Sequence, residues 1–557
     1  MLPSSFMNNL VKYNLRFPES EASEIYVKGE FTAPENRTIE FHFPFWRPGR
    51  YEMGAFLKRV VHLKWDIDGE ELMPERSVDF GFSIAIKKDE QLRFSYTLLC
   101  TTLDAGSSYV ATGLKYINPI QSLFYVSNEK AQYHVQWKST LPYMGQKVSN
   151  GNQLEFVDEQ EMYDSPFFLS NPRESLIAEV EGVKIGMHFF GITSPIDLLK
   201  LEGDIQKMAQ AQFKAMGGYP YKRYDFYVIT VPKLAYHGVE HNKSCIILIG
   251  PEGDIGGDRY NELMGVSSHE LFHVYNVKGL RTKDLVPYNF KHVPNSPYLF
   301  FAEGITSYLG DYFLWSSGVF SDEEYLSELN TLLKRYQLNH ARLHKSLMDG
   351  SSEAWVDGYG GGPQHRNTNI YVDGSLWAWS LDWNLLDHSG GKVGLTEVYR
   401  DFYWQQREKT GLKSDIPFHF SDFSVFIQGL LPEEKWHELL VDGVRKPTDF
   451  LPGIKSLAAQ FGLGFENIEA ANLYSSLGIL LKDEKVVSMH PDSPIYHGGV
   501  ICGDTLRLTI KGKKFNARFE KALTGEHGIL EGNIGEFDFS EVKWIEDSAW
   551  RRTWKLR

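Results

Sequence analysis

Residues 1 to about 175 alternate between apolar and polar positions. Glu24-Ile25-Tyr26-Val27-Lys28-Gly29, Thr38-Ile39-Glu40-Phe41-His42-Phe43 and Leu92-Arg93-Phe94-Ser95-Tyr96-Thr97 each put every second side chain on one face. Turn-rich segments such as Ala33-Pro34-Glu35-Asn36 separate them. This alternation predicts half-buried strands, and many short strands at such spacing predict a sandwich or saddle-shaped sheet domain. Pro44-Phe45-Trp46-Arg47-Pro48-Gly49-Arg50-Tyr51 interrupts the pattern as an aromatic loop broken by Pro and Gly. It is expected either to pack against the next domain or to form a corner of the β domain.

From about residue 185 the period lengthens. Leu198, Leu199, Leu201, Ile205, Met208 and Ala209 fall at helical spacing and predict a helix over 196–217. Two apolar runs follow, Tyr224 to Val231 and Cys245 to Ile249, which read as strands with Tyr236-His237-Gly238-Val239-Glu240-His241-Asn242 between them. A helix is expected over 258–278, with Gly279 as its stop. Beyond residue 303 the chain reads as mainly helical, with 325–347 and 376–386 as the clearest segments. The glycine-rich loop 357–369 is expected to be mobile and to border a cleft. The last ninety or so residues form a separate module. Its order of Gly loop (477–481), strand, Ser-Pro helix start (493–494) and Gly-Asp turn (503–504) resembles a PDZ domain, which binds a peptide by adding it to a sheet edge; a structural cap without a peptide ligand is the other reading.

The chain is 557 residues long with a net charge of −14. That length implies several domains with ample core. The negative balance, with no Lys/Arg cluster, excludes a nucleic-acid binder. No run of about twenty apolar residues exists, so no membrane span is expected. Cys100, Cys245 and Cys502 are too scattered for a disulfide framework or metal spacing. Together with an N-terminus lacking a charged region followed by an apolar run, they lead to the expectation of a cytoplasmic protein.

The chemistry sits at Ser268-His269-Glu270-Leu271-Phe272-His273. Residues four apart share one helix face, so His269 and His273 point two imidazoles at one metal ion. Glu270 projects beside them as a base for a water molecule. Ala302-Glu303-Gly304-Ile305-Thr306 follows thirty residues later in a second helical segment. Glu303 supplies a third ligand, and two histidines with one glutamate form a recurrent catalytic zinc set. One Zn²⁺ per chain is expected; the same donors also accept cobalt or manganese.

These motifs agree on one resemblance. Phe45 to Tyr51, Gly238-Val239-Glu240-His241, His269 to Arg281 and Glu303 to Tyr308 together resemble the glycyl aminopeptidase family of zinc metallopeptidases, a branch of the thermolysin-like gluzincins. The resemblance implies a multidomain α+β chain: an N-terminal β-rich domain (1–178), a thermolysin-like catalytic domain with a mixed-sheet lobe and a helical lobe (179–450), and a C-terminal PDZ-like domain (451–557). It implies that His269, His273 and Glu303 hold zinc, that Glu270 is the general base, and that Glu240 binds the free α-amine of a peptide substrate. Gly238 would allow the substrate backbone to approach closely. The family's Tyr-Tyr-x-Lys-Gly-like segment corresponds here to Ile370-Tyr371-Val372-Asp373-Gly374. Tyr371 matches the second tyrosine, an oxyanion donor. Ile370 and Asp373 depart from the pattern and put substrate preference in question. The resemblance implies small first residues such as glycine or alanine. The rival readings are an endopeptidase on the same scaffold, and a peptide-binding protein acting through the PDZ-like module.

Overall fold

The computed structural model describes residues 9–18, 22–191, 195–359, 362–363, 365–467, 473–537, 539–545 and 554–555. Gly360, Gly361 and Gln364 of the glycine-rich loop, and residues 1–8 and 19–21, lie outside them. The chain folds as two compact units, one of 1–296, 355–360 and 400–420 and one of 297–354, 361–399 and 421–557.

The first unit begins with the expected β domain. Its largest sheet has seven strands, in the order Gln153–Phe156, Gln132–Lys138, Leu10–Arg16, Glu24–Thr32, Gln91–Leu99, Val60–Ile67 and Glu70–Leu72. Glu24–Thr32 buries Ile25, Val27, Gly29 and Phe31 while the residues between them are partly or fully exposed, as its alternation predicts. The core is aromatic: Trp65 lies 4.8 Å from Phe94 and 5.7 Å from Phe124, centroid to centroid.

A mixed five-stranded sheet follows. Its strands are β1 (Glu174–Val180), β2 (Val183–Phe190), β3 (Arg223–Thr230), β4 (Ala235–His241) and β5 (Ser244–Gly250), in the order β1-β2-β3-β5-β4. β2, β3 and β5 run parallel, and β4 returns antiparallel along the edge. The segment between the two apolar runs is therefore a strand, with Glu240 paired opposite Cys245. Helix α1 (Leu198–Ala215) starts at Asp197, whose side chain accepts from the N–H groups of Leu199 and Lys200. Helix α2 (Tyr260–Phe272) carries the two-histidine motif but stops at His273, short of the expected Lys278. Val277 sits at φ 73°, a region β-branched residues rarely adopt, and the Lys278 N–H turns back onto the His273 carbonyl at 3.0 Å. Gly279 belongs to this turn, because a Cβ there would lie 2.5 Å from the Tyr275 carbonyl oxygen.

The second unit is helical, with a β module at its end. Helix α3 (Leu299–Ser316) is buried on nearly every side, as a helix apolar all round must be. Helix α4 (Asp322–Leu338) opens with a capping box between Ser321 and Glu324. The expected 325–347 helix breaks at Asn339, which caps a short 3₁₀ turn at His340–Leu343. Helix α5 (Val372–Ser389) crosses α3 where Gly304 meets Gly374. A Cβ on Gly304 would lie 2.3 Å from the Gly374 carbonyl carbon, so the pair of glycines sets how closely the helices approach. The terminal module holds an antiparallel five-stranded sheet over 479–533 and a two-stranded ribbon of Leu463–Asn467 with Ser540–Trp544. Its helices, Leu473–Leu477 and Pro494–His497, have five and four residues. Among the described residues no helix is long and apolar enough to cross a membrane. Cys100 and Cys245 are buried, and Cys502 is exposed.

Candidate active site

In the first unit, α2 lies against the edge strand β4. Its backbone is pinned from two sides: Tyr224 of β3 donates its hydroxyl to the Glu270 carbonyl at 3.1 Å, and Gln212 of α1 donates to the Ser268 carbonyl at 2.9 Å. Neither residue carries a motif, so sequence reading missed them as positioning groups. His269 and His273 bring their Nε2 atoms to 3.0 Å, with the rings at 87° to each other. Two zinc ligands at about 2.0–2.1 Å in tetrahedral array stand about 3.3 Å apart. The observed separation fits a pair of nitrogens converging on one such ion.

Glu270 lies over β4. A Cβ on Gly238 would sit 2.0 Å from Glu270 Oε1, so the glycine makes room for that carboxylate. Gly238→Ala is expected to keep fold and metal content yet lower kcat by about 10²-fold, the usual cost of displacing a reacting group by about an ångström. Steady-state kinetics beside metal analysis check this; an unchanged kcat would mean that the position of Glu270 does not matter.

Two residues along the strand, Glu240 is 3% exposed. Oxygens of Glu240 and Glu270 and a nitrogen of His273 all lie within 4.8 Å of one another. Oε1 of Glu240 is buried without a hydrogen-bond partner among the described residues. Its other oxygen rests on the aromatic loop: a Cβ on Gly49, at φ 72°, would meet Oε2 at 2.3 Å. The loop therefore packs against the edge strand. Trp46 fixes it there by donating to the Asn289 carbonyl at 2.6 Å and contacting Tyr288 and Trp355 edge-on. Arg47 reaches His237 of β4 at 3.4 Å; burial, then the Arg47 charge, push that imidazole down to about 3, so it is neutral.

Beyond Glu240, β4 ends in an ionic cluster. The Lys278 ammonium, 3% exposed, lies 2.7 Å from Asp164 Oδ1, and His241 Nδ1 lies 3.3 Å from the same oxygen. Burial alone would raise the Asp164 carboxyl, but Lys278 and His241 outweigh it and hold it below its ordinary value. Burial likewise would lower Lys278, and Asp164 overrides it upward. The Asp164 contribution to stability is present above the usual aspartate pKa and lost as pH falls through the depressed one; that of Lys278 is lost only as pH rises through its elevated value. Asp164→Asn strands a buried ammonium and is expected to cost about 3–5 kcal/mol, read from urea unfolding at pH 7. A cost below about 1 kcal/mol would show that the pair is not structural.

In the second unit, Glu303 is buried on α3, one residue before the glycine crossing. Tyr371 is the residue preceding α5, and the same crossing brings this end of α5 to α3. Asn369 Oδ1 accepts from the N–H groups of Tyr371 and Val372, each at 3.0 Å, while Asp373 accepts from the Asn369 N–H at 2.8 Å. Asp373 thus locks the turn that presents Tyr371, and burial pushes its carboxyl up to about 7.

Two family models match the chain: that of the M61 glycyl aminopeptidases over residues 262–377, and that of the M61 peptidase N-terminal domain over 12–171. The chain is a metallopeptidase. It belongs to the M61 glycyl aminopeptidase family. Among solved structures it resembles an aminopeptidase N family protein from Idiomarina loihiensis, at 19% identity and a TM-score of 0.83 over 98% of this chain and 99% of that one. That likeness is one of fold. An M1 zinc metallopeptidase from Deinococcus radiodurans (14% identity, TM-score 0.46, 79% of this chain and 94% of that one) and yeast LTA4 hydrolase (15%, 0.43, 79% and 68%) are more distant and carry no argument. No curated protein matches the chain.

Proposed function

We propose that the protein is a zinc-dependent aminopeptidase that removes one residue at a time from the N-terminus of peptides, with His269, His273 and Glu303 as metal ligands. The observation that carries this reading is Glu240. A carboxylate that is buried beside a second carboxylate, with one oxygen lacking a partner among the described residues, calls for a cation. The α-ammonium of a peptide is such a cation, and a charge-assisted bond to it fixes the cut one residue from the end.

When bound, zinc supplies Lewis acidity, lowering the pKa of a coordinated water towards about 7 and polarising a carbonyl oxygen. Glu270 removes the proton from the attacking water and returns it to the leaving amine. Tyr371 donates to the developing oxyanion. By family resemblance the first residue is small, glycine or alanine. The chain reads as three parts, the second beginning with strand β1 (Glu174–Val180), a few residues before the expected boundary at 178, and the third after 450. In the terminal module, the PDZ-like reading would give a second peptide site; among the described residues its helices span only Leu473–Leu477 and Pro494–His497, and it is not the reading we favour.

The test is hydrolysis of Gly- and Ala-leading peptides, free and N-acetylated, by zinc-loaded protein. Cleavage confined to the free-amine set is expected. Internal cleavage of the acetylated set would instead establish an endopeptidase.

A further inference from the structure

Glu240 and Glu270 fix two points on the path of a peptide. On the reading above, the α-amine sits at Glu240 and the bond to be cut sits beside Glu270. Both carboxylates lie on one face of β4: a Cβ on Gly238 would touch Glu270, and Glu240 follows two residues along the strand. Side chains two apart in a strand share a face. The line from amine to scissile bond therefore runs from Glu240 towards Gly238, and its continuation on that face meets Tyr236. The opposite face of the strand is committed to packing. Val239 is buried in an apolar cluster with Tyr116, Phe168 and Ile246, and Ala235 packs against the same cluster.

Tyr236 is 56% exposed, and its hydroxyl end reaches α2. On that helix Asn261, Gly265 and His269, four apart, form a partly exposed stripe, whereas Leu263, Met264, Val266, Ser267 and Ser268 are buried. Gly265 stands one turn before His269, the first of the two histidines. A Cβ on Gly265 would meet the Tyr236 hydroxyl at 3.8 Å, an ordinary contact, with no other atom outside its own helix within 4 Å among the described residues. The missing side chain leaves a shallow trough on the helix, flanked by an aromatic ring from the edge strand. Leu234, also exposed, extends the apolar surface past the ring. Reach decides which residue of a substrate arrives there. The four residues from Glu240 back to Tyr236 span about 13 Å of strand. An extended peptide advances by about 3.4 Å per residue, so a dipeptide held by its amine stops short, and the side chain of the third residue is the first to reach the ring. An exposed aromatic face gains by covering another apolar or aromatic side chain, and a charged side chain gains nothing from it.

We propose that Tyr236, with the trough over Gly265, is the subsite for the third residue of the peptide, and that it selects aromatic and large aliphatic side chains over glycine and over charged ones. The inference rests on the aminopeptidase reading and concerns only the leaving portion of the substrate; the preference at the first residue is a separate matter.

The experiment compares kcat/KM of the zinc-loaded enzyme on free-amine, C-terminally amidated tripeptides Ala-Ala-Z, with Z as Gly, Leu, Phe, Asp or Lys. Phe is expected to exceed Gly by about tenfold, with Leu between them and Asp and Lys at or below Gly. Two variants test the subsite. Tyr236→Ser removes the ring from an exposed position, so no core is disturbed, and should bring the Phe-to-Gly ratio close to one. Gly265→Leu fills the trough with a better helix former and should also lower that ratio. Equal cleavage of the Phe and Gly peptides by the unaltered enzyme would overturn the inference and leave the aminopeptidase intact, as would a ratio that Tyr236→Ser leaves unmoved. Failure to cleave any free-amine peptide would overturn both readings.

Discussion

Glu270→Gln is expected to keep its metal and lose about 10²–10⁴-fold in kcat, a barrier increase of about 3–5 kcal/mol. The amide has nearly the same shape, so Gly238 accommodates it as it does the carboxylate, and the Tyr224 bond to the residue 270 carbonyl involves only backbone. The fold and the two imidazoles therefore have no reason to move. What is lost is the ability to accept a proton from water: Cys245 and Tyr224 nearby are buried with their protons held, both pushed up by desolvation, and in the reading proposed above the neighbouring Glu240 carboxylate is taken by the substrate's α-amine. Metal content by atomic absorption and turnover on a free-amine peptide are the two readings needed. Full metal with undiminished kcat would remove Glu270 from its role.

The second large effect is expected at Glu240. Glu240→Ala should reduce kcat/KM on free-amine peptides by about 10²–10³-fold, the cost of leaving a desolvated ammonium without its partner. On N-acetylated peptides, which have no charge to lose, the change should be small. Glu240→Gln should fall between, since an amide oxygen accepts but carries no charge. Matched free and acetylated peptides separate these outcomes. An equal loss on both would mean that Glu240 supports the architecture rather than the amine.

The two-histidine turn was legible because its information is local: a spacing of four is a face of a helix whatever surrounds it. Strand alternation over Glu24–Thr32 was legible for the same reason. The end of α2 was not. The sequence runs on without a breaker until Gly279, and the stop at His273 depends on Val277 taking a left-handed conformation that tertiary contacts must hold. Glu240 was singled out by its neighbours in the chain, but its place on an edge strand depends on pairing with β5, and the floor beneath it comes from Gly49, nearly two hundred residues away. Gly238 is expected to let a substrate backbone approach closely; the sequence does not show that the space beside its missing Cβ also holds the Glu270 carboxylate, which comes from a different element.

The contact between Gly49 and Glu240 bears on how such a chain can be cut or recombined. The loop that carries Gly49 is threaded between strands of the β domain, while the carboxylate it supports belongs to the catalytic sheet. The β domain is thus no detachable appendage. A fragment begun after it would retain the histidine pair and Glu270 but would give up the surface that holds Glu240 in register. On the reading proposed above, any chimaera that exchanges N-terminal domains between relatives would carry along part of the rule by which one end of a peptide is told from its middle.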